Sequence, residues 1–348
     1  MLKENYGLTV SSLKQLNGYD DLNYHVKTLP AYCNPHIDSH RPEGYFLKIS
    51  NLKDSRQPEL LNAQRSVMDH LISKGIVCQD AIKGINGEVF TNITSAKSGK
   101  TVTYAASLRS FLPGRVIAGL TLTASLLFQL GEFAAKVTDA LLDFNVPYYE
   151  TFEHLWNLSK LPKVSEVVFA VKDEKKRKIC EEVIKCFETQ VLPKGNTFRL
   201  ALIHGDMNEH NVLLDTDPSS KSGLRISGLL DFQDCAKSYP VYDIALFISY
   251  MLMMGTSEVP QEDIPGHMLA GYSSISKLPP EERSVLRICI AGRMVMSLVY
   301  GAYTYHLDPT NEYVLETAKF GWQALTEFWQ ADAQKSEDRW NEIIKQYE

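Results

Sequence analysis

Two short segments constrain this chain more than any other feature: ALIHGDMNEHN at positions 201–211 and GLLDFQD at positions 228–234. Each is an apolar run of β-type composition that stops at clustered carboxylates and amides. Strand ends of that kind hand polar groups to a ligand. Asn211-Val212-Leu213-Leu214 and Ile226-Ser227-Gly228-Leu229-Leu230 are set to pair as a hairpin around Asp215 to Ser222, a stretch rich in turn residues. That pairing puts Asn211 and Asp231 at the same end of the hairpin, where one cation could bridge them.

The residue types suit phosphoryl transfer. A carboxylate at Asp206 can accept a substrate hydroxyl's proton, and the side-chain amide of Asn211 offers a neutral oxygen to magnesium. His204, Asp206 two residues on and Asn211 five further follow the spacing of a kinase catalytic loop. Asp231, placed after the strand Gly228-Leu229-Leu230, has the position and type of a kinase metal-binding Asp. Either acid alone reads as a loop cap. Two motifs made neighbours by their own strand pairing are hard to obtain by accident.

Bulk properties narrow the rest. A chain of 348 residues, 44% hydrophobic and 22% charged, suits two globular domains or a bilobal one. A net charge of −6 without a basic stripe argues against a nucleic-acid partner. The densest basic run, Lys172 to Lys178, reads as a solvated helix start, with Ile179, Val183 and Phe187 on the face behind it. Six cysteines without metal spacing fit a reducing compartment. The charged start MLKENYGLTV is unlike a signal peptide, and the apolar stretch Ile244 to Gly255 is too short to span a bilayer. A cytoplasmic protein without a membrane partner is expected.

Along the chain, residues 23–29 and 44–50 have strand composition, and residues 58–74 turn to helical period with Gly75 as a stop. Two more strands, 88–93 and 101–111, are joined by a turn at Ser98-Gly99-Lys100. The stretch SGKT resembles the tail of a P-loop, but position 94 is Thr and the residues after Lys100 are strand-like, so that reading fails. Leu112-Pro113-Gly114 breaks the pattern. Helices follow over 121–143, 174–191, 281–306 and 311–330, with strands set in at 198–204, 211–214 and 225–232. The expected fold is α+β and bilobal: a β-rich nucleotide-binding lobe over 1–112 and a larger, mostly helical catalytic and substrate-binding lobe over 113–348.

HGDxxxxN followed by DFxD resembles the aminoglycoside phosphotransferase and choline kinase superfamily, small-molecule kinases with a protein-kinase-like fold. The Gly between His204 and Asp206, where protein kinases have Arg, is typical of them. Within that group the chain is similar to the hydroxylysine kinases, through Tyr6-Gly7-Leu8, Leu16 to Tyr24, Phe46 to Ser50 and Leu108 to Gly114. Members often carry a further helical extension before Tyr6, and this chain begins inside it. The resemblance implies Asp206 as catalytic base, Asn211 and Asp231 as Mg2+ ligands, and Lys48 as the residue holding the nucleotide phosphates. It implies that Gly18 to Asn23 cover those phosphates and that the hinge, Ser110 to Leu112, reads the base through backbone groups. The donor is then GTP or ATP and the acceptor 5-hydroxylysine. Glu209 and Asp234 stand beside the catalytic loops for its amines. Arg293 is a candidate clamp for its carboxylate, against a surface ion pair as the plain alternative.

Relatives place a Glu in the first helix to pair with the strand Lys. Here Gln64 falls there, with Glu59 one turn earlier. Asp243 reads as the N-cap of the following helix or as a support behind the site, and His204 as a residue that holds the catalytic loop. The competing readings are a kinase for homoserine, methylthioribose, choline or an aminoglycoside, or a nucleotide-binding pseudoenzyme. A third is a metal-dependent hydrolase built on His204, Asp206, His210 and Asp231, which leaves Asn211 and Lys48 without a job.

Overall fold

The computed structural model describes residues 1–16, 18, 21–97, 100–311 and 317–348. The chain divides into two compact units, residues 1–114 with 227–230 and residues 115–226 with 231–348.

The smaller unit runs α1 (Leu2–Tyr6), β1 (Leu8–Leu16), β2 (Leu22–Tyr32), β3 (Tyr45–Ile49), α2 (Leu52–Ser55), α3 (Pro58–Ser73), β4 (Ala81–Ile82), β5 (Phe90–Lys97) and β6 (Lys100–Ser110). Its strands form one antiparallel sheet in the order β1-β2-β3-β6-β4, with β5 also paired to β6. Tyr6, Val26, Tyr45, Leu47 and Leu108 form the heart of its core. Helix α3 starts with Pro58 at its first position, where a fixed φ is already helical and the missing N–H is not needed. It buries Leu60, Leu61, Gln64, Val67, Met68 and Leu71, the face that the helical period picks out. Strand β1 has no such signal, because Thr9 to Gln15 are exposed along the sheet edge. The turn residues Ser98 and Gly99, and Tyr19 and Asp20 of the stretch Gly18 to Asn23, lie outside the described residues, as does Asn17.

The larger unit comprises β7 (Arg115–Val116), α4 (Ala124–Leu142), α5 (Glu174–Gln190), β8 (Ala201–Ile203), β9 (Val212–Thr216), β10 (Leu224–Leu229, whose last residues group with the smaller unit), β11 (Ala236–Ser238), α6 (Pro240–Met253), α7 (Ile264–Ile275), α8 (Pro280–Arg283), α9 (Leu286–Leu307), α10 (Ala318–Gln330) and α11 (Ala333–Lys345). Strands β10-β9-β7 make one small sheet and β11-β8 another. Helix α6 buries every side chain but Tyr250 and Ile244 leads its apolar run, as expected of a helix that is hydrophobic all round. Helices α4 and α7 cross where Gly131 faces Gly271. A Cβ on Gly131 would stand 1.9 Å from the Met268 carbonyl oxygen, and one on Gly271 1.9 Å from that of Phe128.

The basic run opens α5, with Asp173 as N-cap accepting from the amides of Lys175 and Lys176. The helix expected over 281–306 is two, α8 and α9, separated at Ser284-Val285. Of the helix expected over 311–330, residues 312–316 lie outside the described residues and α10 is the remainder. Helix α9 has the length and apolarity to cross a membrane, alone among the described helices. Here it packs against α5, α6 and α10. All six cysteines are thiols.

Candidate active site

Strand β8 ends at Ile203, and the chain then makes a tight turn that Asp243 holds from below. The Asp243 carboxylate accepts from the backbone N–H groups of His204 (3.0 Å) and Gly205 (2.9 Å). Asp243 is therefore not the N-cap of α6. Tyr239 occupies that position without a side-chain cap, and Asp243 lies in the first turn. Burial pushes its pKa up to about 6, against the two amides and Arg293. Gly205 sits at φ +79°, and a Cβ there would lie 2.3 Å from the Asp234 carbonyl oxygen. Only glycine meets both demands, which explains the HGD sequence. His204 is fully buried, and its Nδ1 accepts from the N–H of Asp206 at 3.2 Å, so it holds the loop.

The Asp206 carboxylate emerges from this turn. One oxygen accepts from Asn211 Nδ2 at 2.7 Å, and the same amide nitrogen donates to the Asp206 carbonyl at 2.9 Å. The other oxygen lies 3.5 Å from Arg293 Nη2. Burial raises its pKa well above the usual carboxylate range. Asp234 and Asp231 add to the rise, and Arg293 opposes it. Asn211 immediately precedes β9 and Asp231 follows β10, its hydrogen-bonded neighbour in the sheet. Asp231 has φ +57°, the one positive value at a non-glycine among the described residues. An unfavourable backbone held in place by its surroundings concentrates at functional sites.

The donor chemistry here fits a hard divalent cation. Asn211 commits its amide nitrogen to Asp206, which leaves its oxygen as an acceptor, and Asp231 adds a charged oxygen. Among the described residues no group of three or more His, Cys, Asp or Glu side chains is placed to hold a metal ion. His204, Asp206, His210 and Asp231 thus do not form the ligand cluster of a metallohydrolase.

Arg293, on α9, is buried at 2% exposure, so it is not half of a surface ion pair. Its guanidinium lies over the rings of Trp156 and Tyr250 and donates to the Trp156 carbonyl. Asp234 stands 3.5 Å from His154 Nε2. Glu209 stands 3.6 Å from His210 Nε2, and burial raises its pKa, against His210. Trp156, Tyr250 and His154 carry no motif, and nothing in the sequence marks them.

In the smaller unit, Lys48 is nearly buried and its ammonium lies 2.8 Å from Asp21. Neither Gln64 nor Glu59 fills that place: Gln64 is buried with its Nε2 unpartnered, and Glu59 is exposed. Asp21 also accepts from the backbone N–H (2.7 Å) and the side chain (3.0 Å) of Asn51. Burial raises the Asp21 pKa, but Lys48 and Asn51 overcome it and hold the carboxyl below its ordinary value. Ser110, at the end of β6, spends its N–H on the Asp80 carbonyl and its hydroxyl on the Asp80 amide. The N–H of Phe111 goes to the Gly44 carbonyl. Leu112 follows, half-buried and beyond the strand.

A sequence model of the phosphotransferase enzyme family, APH, matches residues 12–276. The chain belongs to that family. Among curated relatives of this phosphotransferase, the hydroxylysine kinase of Mus musculus is 34% identical over 99% of the chain and 91% of its own length. That of Xenopus laevis is 34% identical over 100% and 92%. A solved structure, amicoumacin kinase in complex with AMP-PNP, Ca2+ and Ami, superposes with a TM-score of 0.64 at 13% identity, covering 94% of this chain and 90% of that one. The fold is thus the bilobal kinase-like one. This phosphotransferase is a kinase that acts on a hydroxyl group of a small molecule.

Proposed function

We propose that this phosphotransferase moves the γ-phosphoryl of GTP or ATP to the hydroxyl of 5-hydroxylysine. The observation that carries the acceptor is the 34% identity to hydroxylysine kinases over essentially the whole chain. The acceptor's net charge near neutral pH is about +1, which suits a site whose fixed groups are mostly carboxylates. Asp206 orients the hydroxyl and takes its proton late in the transfer, and Glu209 and Asp234 face the amines. Asn211 and Asp231 would hold Mg2+, which when bound offsets charge on the β- and γ-phosphate oxygens. Lys48, paired with Asp21, contacts the nucleotide phosphates. Leu112 takes over the base-reading role proposed for the hinge, since the Ser110 and Phe111 amides are already engaged. In this reading the smaller unit supplies nucleotide contacts and the larger one catalytic and acceptor contacts. Six thiols fit work in the cytoplasm.

A panel of 5-hydroxylysine, lysine, homoserine, choline and kanamycin, each with GTP and ATP, tests the proposal by nucleoside diphosphate release. 5-Hydroxylysine should turn over well, lysine not at all for want of the hydroxyl, and kanamycin poorly. Rapid turnover of choline or kanamycin with none on 5-hydroxylysine would refute the acceptor and keep the kinase.

A further inference from the structure

Arg293 has the wrong surroundings for an acceptor clamp. A bidentate clamp must present two N–H groups to an incoming carboxylate. Arg293 is 2% exposed. Nη1 donates to the Trp156 carbonyl at 3.0 Å, while Nη2 lies 3.4 Å from the Tyr250 hydroxyl and 3.5 Å from Asp206 Oδ1. The guanidinium carbon is 5.2 Å from the Trp156 ring centre and 5.6 Å from that of Tyr250. Nε is buried without a hydrogen-bond partner. The cavity lined by Arg293, Trp156, Gly205 and Asp234 has a volume of about 10 Å³, room for one water and no carboxylate.

Resting on the reading of Asp206 as base, we infer that Arg293 is a positioning residue for Asp206 and does not touch the acceptor. Two rings and a carbonyl fix the guanidinium independently of Asp206, and that fixed cation sets where the Asp206 carboxylate points. Asn211 anchors the other oxygen of the same carboxylate at 2.7 Å. Between them the two side chains leave Asp206 one orientation. A lysine ammonium would keep the charge but lose the planar fork and its stacking.

The test uses the full chain with Arg293→Gln, Arg293→Lys, Tyr250→Phe and Asp206→Asn. It compares 5-hydroxylysine with the amino alcohol that lacks only its carboxylate. Misplacing the base should lower kcat of Arg293→Gln by about 100-fold on both acceptors. Acceptor KM should stay within about 3-fold, with calorimetry still giving one nucleotide per chain. Arg293→Lys should recover part of the lost kcat, which a purely structural defect would not predict at constant binding stoichiometry. A clamp would instead raise KM by about 30-fold for the carboxylate-bearing acceptor alone, with kcat retained, and that result overturns the inference. If Arg293→Gln fails to bind nucleotide stoichiometrically, Arg293→Lys and Tyr250→Phe decide: reduced kcat at unchanged KM supports positioning, and full kcat in both overturns it. Wild-type turnover by Asp206→Asn brings down the base reading itself. An inactive Asp206→Asn beside a KM-only effect of Arg293→Gln brings down this inference alone.

Discussion

Asp206 sits among groups that disagree about its charge: burial, Asp234 and Asp231 favour the acid, and Arg293 favours the carboxylate. The role of base proposed for Asp206 needs a carboxylate, and an amide in its place cannot accept the hydroxyl proton. Asp206→Asn is therefore expected to lower turnover by at least about 100-fold, while nucleotide affinity stays near wild type. Steady-state kinetics beside nucleotide titration check this, and near-normal turnover would end the assignment. The local geometry of this loop was legible because it is written in spacing, His204 to Asp206 to Asn211, and the three residues do meet. The partner of Lys48 was not. Asp21 reaches it through the register of β2 on β3, where Leu22 lies opposite Ile49 and Asn23 opposite Lys48. Register is a property of two strands together, and a spacing rule built on α3 pointed to Gln64 instead.

Among elements, α6 matters beyond its apolar packing because its first turn delivers Asp243 to two backbone amides. With a folded pKa of about 6, above the ordinary Asp value, the native state binds more protons than the unfolded state between about pH 4 and 6. Stability from this group is thus full below about pH 4 and is lost as pH rises through 6, by on the order of 3 kcal/mol. Asp243→Asn should flatten that part of the slope and cost about 1–3 kcal/mol at pH 7, where the ionised carboxylate accepts from both N–H groups and an amide offers one acceptor. Urea midpoints at pH 4, 5, 6 and 7 measure both. The same slope in the two proteins would contradict the linkage. Elements with a strong period or uniform apolarity, α3, α4, α5 and α6, were readable from sequence. Helix α7 was not, because Pro265, Gly266 and Gly271 lower its helix signal while close packing against α4 stabilises it. Helix α11 buries only Trp340 and Ile343, too little to stand out from a polar sequence.

For the molecule as a whole, a ligand that binds only the native state raises the melting temperature. A nucleotide with Mg2+ at a hundredfold excess over Kd adds about 2.7 kcal/mol, on the order of 5 °C for a chain of this size. Asp231→Ala should lose the Mg2+-dependent part of that shift, Asn211→Ala less of it because no formal charge is removed, and Asp206→Asn little. Scanning calorimetry with and without Mg2+ reads this directly, and a wild-type metal effect in both Asp231→Ala and Asn211→Ala would dissolve the paired-ligand proposal. The cysteine thiols give the same molecule a clock. Cys33 is exposed, whereas Cys78, Cys180, Cys235 and Cys289 are buried, with Cys78 and Cys180 pushed up to about 12 by that burial. An alkylating reagent needs both access and thiolate, so Cys33 should be modified promptly and the buried four only as fast as their surroundings open. Cys78 belongs to the smaller unit and the other three to the larger. Timed alkylation followed by peptide mapping would therefore date the breathing of each unit separately, with no label added to the chain.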